Sequence, residues 1–198
     1  MIVFPENLIL EDQRVLLRPL QETDMEYLLP FAIHEPETWV YSLNSPAGRH
    51  GMRKYIEDTL AERKAKKEYP FIVFDKQANS YAGSTRFYDI QLNNLSAQLG
   101  YTWYGKDFRR TGLNRHCKLL MLSYAFEQWG LERVEFRADA RNKASVRAMQ
   151  EIGCTVEGIL RSNAVIASGG RRDSIVLSIL KTEWFDGIKE NLVAKIYA

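Results

Sequence analysis

The sequence predicts an α+β fold, a central mixed and mostly antiparallel sheet with helices packed on both faces, and three observations carry that expectation. Several short segments alternate apolar and polar residues with the period of a half-buried strand. One long segment, Leu113 to Trp129, is apolar around most of a helical circumference, as expected of a helix covered on two sides. Between a strand ending at Tyr104 and that helix lies F-R-R-T-G-L-N (Phe108 to Asn114), which sets two arginines and a glycine at a helix start.

In chain order, Val15 to Leu20 reads as a strand, and Glu22, Thr23 and Asp24 open a helix whose apolar contacts are Tyr27, Leu28 and Phe31. A second helix is expected from about Gly51 to Lys67, resting on Tyr55, Ile56 and Leu60. Tyr69 to Asp75 and Tyr81 to Ile90 are strands joined by the turn K-Q-A-N-S, and Ala97 to Tyr104 is the next strand. The long helix places Leu113, Cys117, Leu120, Met121 and Tyr124 on one face and Leu119, Leu122, Phe126 and Trp129 on another. Arg115, Lys118, Ser123 and Glu127 interrupt it. Val134, Phe136 and Ala138 then alternate with charged residues in a strand ending near Asp139. A short helix follows, with Ser145, Ala148, Met149 and Ile152 on one face and Gly153 as its stop. Thr155 to Ile166 and Arg172 to Leu180 form a hairpin around A-S-G-G. The amphipathic tail, Lys181 to Ala198, could dock on the domain itself or on a partner subunit.

The Arg-Arg-Thr-Gly turn points to an anion. The first turn of a helix leaves backbone N–H groups without intrahelical partners, and aligned peptide dipoles add partial positive charge there. Gly112 permits a positive φ or a close backbone approach, while Arg109 and Arg110 bring fork-shaped donors suited to phosphate oxygens. A basic strand-to-helix turn with an exposed arginine pair is the plainer reading of the same residues.

Composition bounds the rest. With 198 residues, 45% hydrophobic and 12% aromatic, the chain can bury a sizeable core, and no linker, repeat or low-complexity tract divides it, so one domain over 1–198 is expected. A net charge of +2 is too mild to suggest nucleic acid, and K-A-K-K at Lys64 to Lys67 reads as a solvated helix end. Met1 to Leu10 lacks the build of a signal peptide and no apolar stretch approaches a membrane span, so a cytoplasmic location with no membrane partner is expected. Cys117 and Cys154 read as small core hydrophobes. His34, His50 and His116 are too scattered for a metal site.

The order of strand, R-x-x-G-x-N, apolar helix, strand ending in A-R-N-K-A-S and short helix ending in E-I-G resembles the GNAT superfamily of acyl-CoA-dependent N-acetyltransferases. Within it the chain resembles the RimJ/RimL-like branch through L-R-P-L-Q-E-T-D, the R-N-x-x-S element, E-G-x-L-R at Glu157 to Arg161, and R-R-D-S-I-V-L-S-I-L at Arg171 to Leu180. The resemblance spans about Gln13 to Trp184 and rests on the order of several weak motifs. It implies a GNAT-like sheet and acetyl-CoA as co-substrate. Backbone groups of Thr102, Trp103 and Tyr104 would pair with the pantetheine arm where two strands splay. Backbone N–H groups from Arg110 through Thr111, Gly112, Leu113 and Asn114 to Arg115 would hold the pyrophosphate. Asn114 departs from the Gly or Ala usual there. Asn142 would contact pantetheine and Ser145 would be the acid for the departing thiolate, against the plainer reading of Asn142 as a helix N-cap.

The general base does not follow. The position that carries a glutamate in many members is Gln98, another used in RimL-like members is Ala164, and neither is a carboxylate. Asp139, Glu157, Tyr101 and a water chain remain, none of them favoured. An acceptor with a low amine pKa needs less of a base, and an α-amino group titrates near ~8, far below lysine. The expected activity is therefore acetyl transfer by direct attack to a protein N-terminal α-amine, as in ribosomal-protein acetylation, or to a small amine. The alternative is an acyl-CoA-binding regulatory module with little catalysis. A nucleotide binder is the weakest reading, since no G-x-x-x-x-G-K-S/T sequence is present. Acceptor choice would lie with loops Trp39–Arg49, Arg86–Asn94 and Ala164–Arg172, where Trp39, Tyr41, Phe87 and Tyr88 supply aromatic surface. A homodimer is compatible with all of this.

Overall fold

The computed structural model describes residues 4–197; Met1 to Val3 and Ala198, the ends of the leader and tail readings, lie outside it. A single eight-stranded sheet runs in the order β1-β2-β3-β4-β5-β6-β8-β7. Its strands are β1 (Leu10–Glu11), β2 (Val15–Pro19), β3 (Tyr69–Asp75), β4 (Ser80–Gln91), β5 (Ser96–Tyr104), β6 (Arg133–Asp139), β7 (Thr155–Val165) and β8 (Arg171–Leu180). Every neighbouring pair is antiparallel except β5 and β6. The sheet is thus mixed and mostly antiparallel, as its period-2 segments lead one to expect.

Helices cover both faces. On one side α1 (Met25–His34) and α2 (Gly48–Lys64) bury Leu28, Met52, Tyr55 and Ile56 against Ile72 and Trp103. On the other, α3 (Leu113–Ser123) and α4 (Lys143–Glu151) bury Leu113, Cys117, Met121 and Met149 against Phe71, Phe87, Val134 and Leu177. Glu22 to Asp24 form a 3-10 turn rather than the first α-turn, with the Asp24 carboxylate accepting the Gln21 N–H at 2.8 Å. Helix α3 continues through Tyr124–Gln128 as a π-turn, so the apolar run to Trp129 is one rod with a local change of winding.

The second cover over α3 comes from the tail. After α5 (Lys181–Glu183) and a kinked turn at Asp186 and Gly187, α6 (Lys189–Tyr197) lies on α3. Trp184 stacks on Phe126 with centroids 5.6 Å apart and donates to Glu127 at 3.2 Å, while Leu192 is buried. The described part of the tail therefore docks on its own domain. Cys117 and Cys154 are free and buried, in agreement with their reading as core residues. No helix among the described residues is long and apolar enough to cross a membrane.

Candidate active site

The parallel pair β5 and β6 stays together for only three residues, Ser96↔Arg133, Ala97↔Val134 and Gln98↔Glu135. Beyond Gln98 the strands part. The cause lies on the opposite edge of β5: Ser84 pairs with Trp103 and Arg86 with Gly100, so Tyr101 and Thr102 together face the single residue Thr85. That extra residue is a β-bulge, which bends its strand, and it holds Tyr101 at φ 48. Backbone groups of β5 that face away from β4, in the stretch containing Thr102, Trp103 and Tyr104, consequently have no strand partner on the β6 side. A backbone edge in that state can pair with an extended amide-bearing ligand.

At the end of β5 the chain turns through Lys106–Phe108 into the basic loop. Gly112 is the N-cap of α3 with φ 89, no side chain caps it, and a Cβ built there would meet no protein atom within 4 Å. Glycine supplies the positive φ, and the space in front of the helix start is open. Among the described residues the N–H groups of Arg110, Thr111 and Gly112 donate to no protein group, whereas Leu113 N–H reaches the Thr111 hydroxyl at 3.4 Å and Arg115 N–H the Gly112 carbonyl at 2.9 Å. Arg110 is exposed and held at φ 62. Arg109 differs from the expectation of a free phosphate fork: its Nε donates to the Tyr104 carbonyl at 2.9 Å and its Nη2 to the Thr38 hydroxyl at 2.7 Å. It fastens the loop to the α1 side. Asn114 is tied as well, accepting the Tyr104 hydroxyl at 3.2 Å.

The floor of the opening holds a group that the sequence reading passes over as an interruption of the apolar stripe. Lys118 is 5% exposed and reaches from α3 to the splayed strands, where its Nζ donates to Thr102 Oγ1 at 2.9 Å and lies 5.9 Å from the Phe136 ring centre. The Thr102 hydroxyl in turn pairs with that of Thr85 at 2.7 Å. Burial without a carboxylate partner pushes the Lys118 pKa down to about 8. A polar residue flanked by apolar ones at i−1 and i+3 on a core helix is the only sequence signal that could have marked it.

Helix α4 begins at the open end of β6. Asn142 is its N-cap, Oδ1 accepting from Ser145 N–H at 3.1 Å, so the plainer reading of Asn142 describes that oxygen. Ser145 is half-buried, and among the described residues its hydroxyl makes no hydrogen bond. Met149 and Ile152 on the same face are buried.

The groups weighed as a base are unsuited to it. Hydrogen bonds from the Arg141 guanidinium hold the buried Asp139 carboxyl below its ordinary range. The Ser178 hydroxyl and Arg133 do the same to Glu157. Burial raises Tyr101. Gln98 donates to Asp89 Oδ2 at 2.8 Å, and Ala164 lies across from Arg172 in the β7–β8 ladder.

The face of the sheet under α1 and α2 carries the residues expected to meet the acceptor, with two corrections. Trp39 is buried in the α1–α2 core, 5.3 Å from Trp103, and Phe87 is buried on the α3 face; both are packing residues, because their segments close the two cores. Tyr41 stays at the surface. Tyr88 and Tyr101 meet edge to face at 5.0 Å beside Gly100, where the strands part. Around them stand Arg86 and Arg172, 3% and 7% exposed. No group of three His, Cys, Asp or Glu side chains among the described residues is placed to hold a metal ion.

The arrangement has relatives. A family model described as an acetyltransferase (GNAT) domain matches residues 14–155. YdaF of Bacillus subtilis (strain 168), named as a ribosomal N-acetyltransferase, is 25% identical over 178 residues, covering 87% of this chain and 94% of YdaF. An acetyltransferase crystal structure from T. thermophilus superposes with a TM-score of 0.88 at 31% identity, covering 100% of both chains. Mycobacterium smegmatis RimJ, solved in complex with CoA-disulfide, shares the fold with a TM-score of 0.78 at 19% identity, over 96% of this chain and 93% of RimJ.

Proposed function

The chain belongs to the GNAT acetyltransferase family and is an acyltransferase, and from that premise we propose that it moves an acetyl group from acetyl-CoA to a primary amine by direct attack in a ternary complex. The acceptor is a protein N-terminal α-amine, in keeping with the name of YdaF, or a small amine. The observation that carries this reading is the parting of β5 and β6 after three paired residues, with its open end leading to unpaired N–H groups at the start of α3.

The residues present fit the co-substrate. The free edge of β5 around Thr102 to Tyr104 would pair with the pantetheine amides, and the N–H groups of Arg110 to Gly112 with Asn114 in the first turn would take the pyrophosphate. The space beside Gly112 leaves room for phosphate oxygens. Arg109 contributes by fixing the loop. Acetyl-CoA supplies an activated acyl group as a thioester. The protein supplies orientation, a proton for the departing thiolate and exclusion of water.

Ser145, whose hydroxyl is uncommitted, is the proposed proton donor, and Lys118 adds positive charge within the same opening, which favours a developing thiolate. Among the described residues, the carboxylates weighed as a base, Asp139 and Glu157, are held below their ordinary range and not raised toward neutrality. An amine that is already partly neutral, as an α-amine with a pKa near ~8 is, fits such a site better than a lysine side chain. The test is thiol release from acetyl-CoA against N-terminal peptides and small amines. Turnover with α-amines and little with lysine side chains is expected; a clear preference for lysine would contradict the reading.

A further inference from the structure

The acceptor face holds an arginine with half of its hydrogen-bonding capacity unused. Arg86 on β4 is opposite Gly100, the second residue past the last β5–β6 pair, so it stands where the strands part. Its guanidinium lies between the rings of Tyr55 and Tyr101, 4.9 and 4.1 Å from their centres. Nη1 is paired with Glu68 and the Tyr55 hydroxyl lies close enough to favour the guanidinium, but neither Nε nor Nη2 makes a hydrogen bond of ordinary geometry. Those two N–H groups point the same way along one edge of the guanidinium, the edge that binds a carboxylate with two parallel hydrogen bonds.

A buried donor without an acceptor is costly, so a fold does not keep one casually. Four buried side-chain polar atoms among the described residues lack a partner, Arg86 Nε and Nη2 with the indole nitrogens of Trp39 and Trp103. All four are donors, and all belong to the α1–α2 face. What these four donors lack within the fold is an acceptor. A cleft of about 420 Å³ opens onto Arg86 between Tyr55, Tyr101, Ser45 and Ala167. Three acidic groups line it, and each is engaged: Glu68 with Arg86, Asp58 with Lys54 at 2.8 Å and Glu62 with Lys67 at 3.5 Å. Tyr101 covers the guanidinium from the side of Tyr88, and no hydrogen bond fixes its hydroxyl. Beyond Tyr101, the buried Arg172 donates its Nε to Ser174 at 2.8 Å.

We propose, building on the N-acetyltransferase reading, that Arg86 forms a carboxylate-recognition site in the acceptor cleft, so that the favoured acceptor is an amine bearing a carboxylate a few bonds away. The carboxylate lies side-on to Nε and Nη2, which places the amine toward Gly100 and the opening. A free amino acid and a peptide N-terminus followed by an acidic side chain present the same chemistry.

Matched acceptors test this: β-alanine against β-alaninamide, and the peptide amide Ser-Asp-Ala against Ser-Asn-Ala. Each is assayed by thiol release, with rates expressed per unprotonated amine because a carboxylate raises the pKa of its neighbouring ammonium, and by calorimetry in the presence of CoA. At least one pair should favour the acid by about ten-fold or more in kcat/KM and in Kd, and the responding pair names the source. Arg86→Met should bring that ratio close to one, and Arg86→Lys, which keeps the charge without the fork, should restore only part of it. Retained CoA affinity shows that both variants fold. Equal use of acid and amide in both pairs, or a preference that survives Arg86→Met, overturns the site while leaving the transferase standing. Failure of every amine to turn over counts against the transferase reading, and the calorimetric comparison then decides the site alone.

Discussion

Lys118 is where single-residue chemistry departs furthest from pattern. Its pKa of about 8 in the fold lies below the ordinary lysine value of 10.5, because burial penalises the ammonium and no carboxylate compensates. Between those values the unfolded chain binds more protons than the folded one, so stability rises with pH from about 8 to about 10.5 and the penalty is fully present below about 8. Lys118→Met should abolish that slope and match or exceed wild-type stability at neutral pH, by up to ~3 kcal/mol less the value of the lost bond to Thr102. Urea unfolding of both proteins at pH 7.5 and pH 9.5 checks this, since other titrations cancel in the difference, and parallel profiles would contradict it. Ser145→Ala should lower turnover by ten-fold or more with CoA affinity unchanged, and kinetic silence would leave Ser145 as a helix residue only. Lys118 was not legible as a site residue, and Arg86 only as the first residue of a segment expected to bear on acceptor choice. A charged letter in an apolar pattern ordinarily marks a solvated face, and only the tertiary packing shows that these two are enclosed.

At the scale of elements, the strands were the most legible part. The bounds of β3 were legible at both ends and those of β4 within a residue, because β-branched and aromatic runs broken by the turn K-Q-A-N-S mark two short strands. Helix α2 starts at Gly48 and stops at Lys64, three residues before the expected bounds at each end, and its N-cap, Ala47, offers no side-chain signal. The bulge in β5 was not legible from Gly-Tyr-Thr-Trp, since a bulge is a property of two paired strands. It depends on Gly83, where an added Cβ would lie 2.0 Å from the Trp103 carbonyl oxygen. Gly83→Ala should therefore push β5 off its path, destabilise the protein by ~3 kcal/mol or more and weaken CoA binding, which denaturant melts and calorimetry would show. The tail was legible as an amphipathic helix but not as to what it covers. Trp184→Ala should cost about 3–5 kcal/mol and expose α6 to early hydrogen exchange, because Trp184 is fully buried against Phe126 and α3; a cost under ~1 kcal/mol would mean that the tail is dispensable.

For the molecule as a whole, one sheet separates two chemistries. The α3–α4 face offers backbone donors, an uncommitted serine hydroxyl and a buried lysine, which suit an anionic thioester carrier. The α1–α2 face offers buried arginine and indole donors, which suit an oxygen-rich acceptor. The strands part between them, so the two faces communicate at one place. The fold class was legible through the order of motifs from β5 to α4, and the same motifs carry the proposed carrier site. The acceptor face was legible only as three segments without a motif, because it is assembled from β4, β5, β8 and α2, whose residues lie far apart in the sequence.

Hydrogen exchange of the intact protein with and without CoA tests most directly whether the parted strands receive the carrier. Protection should appear together in two stretches, the β5 amides from Thr102 to Tyr104 and the loop amides from Arg110 to Gly112, while the paired β3–β4 amides stay unchanged. CoA binding that leaves both stretches exchanging as before would contradict the assignment of this opening as the acyl-CoA site.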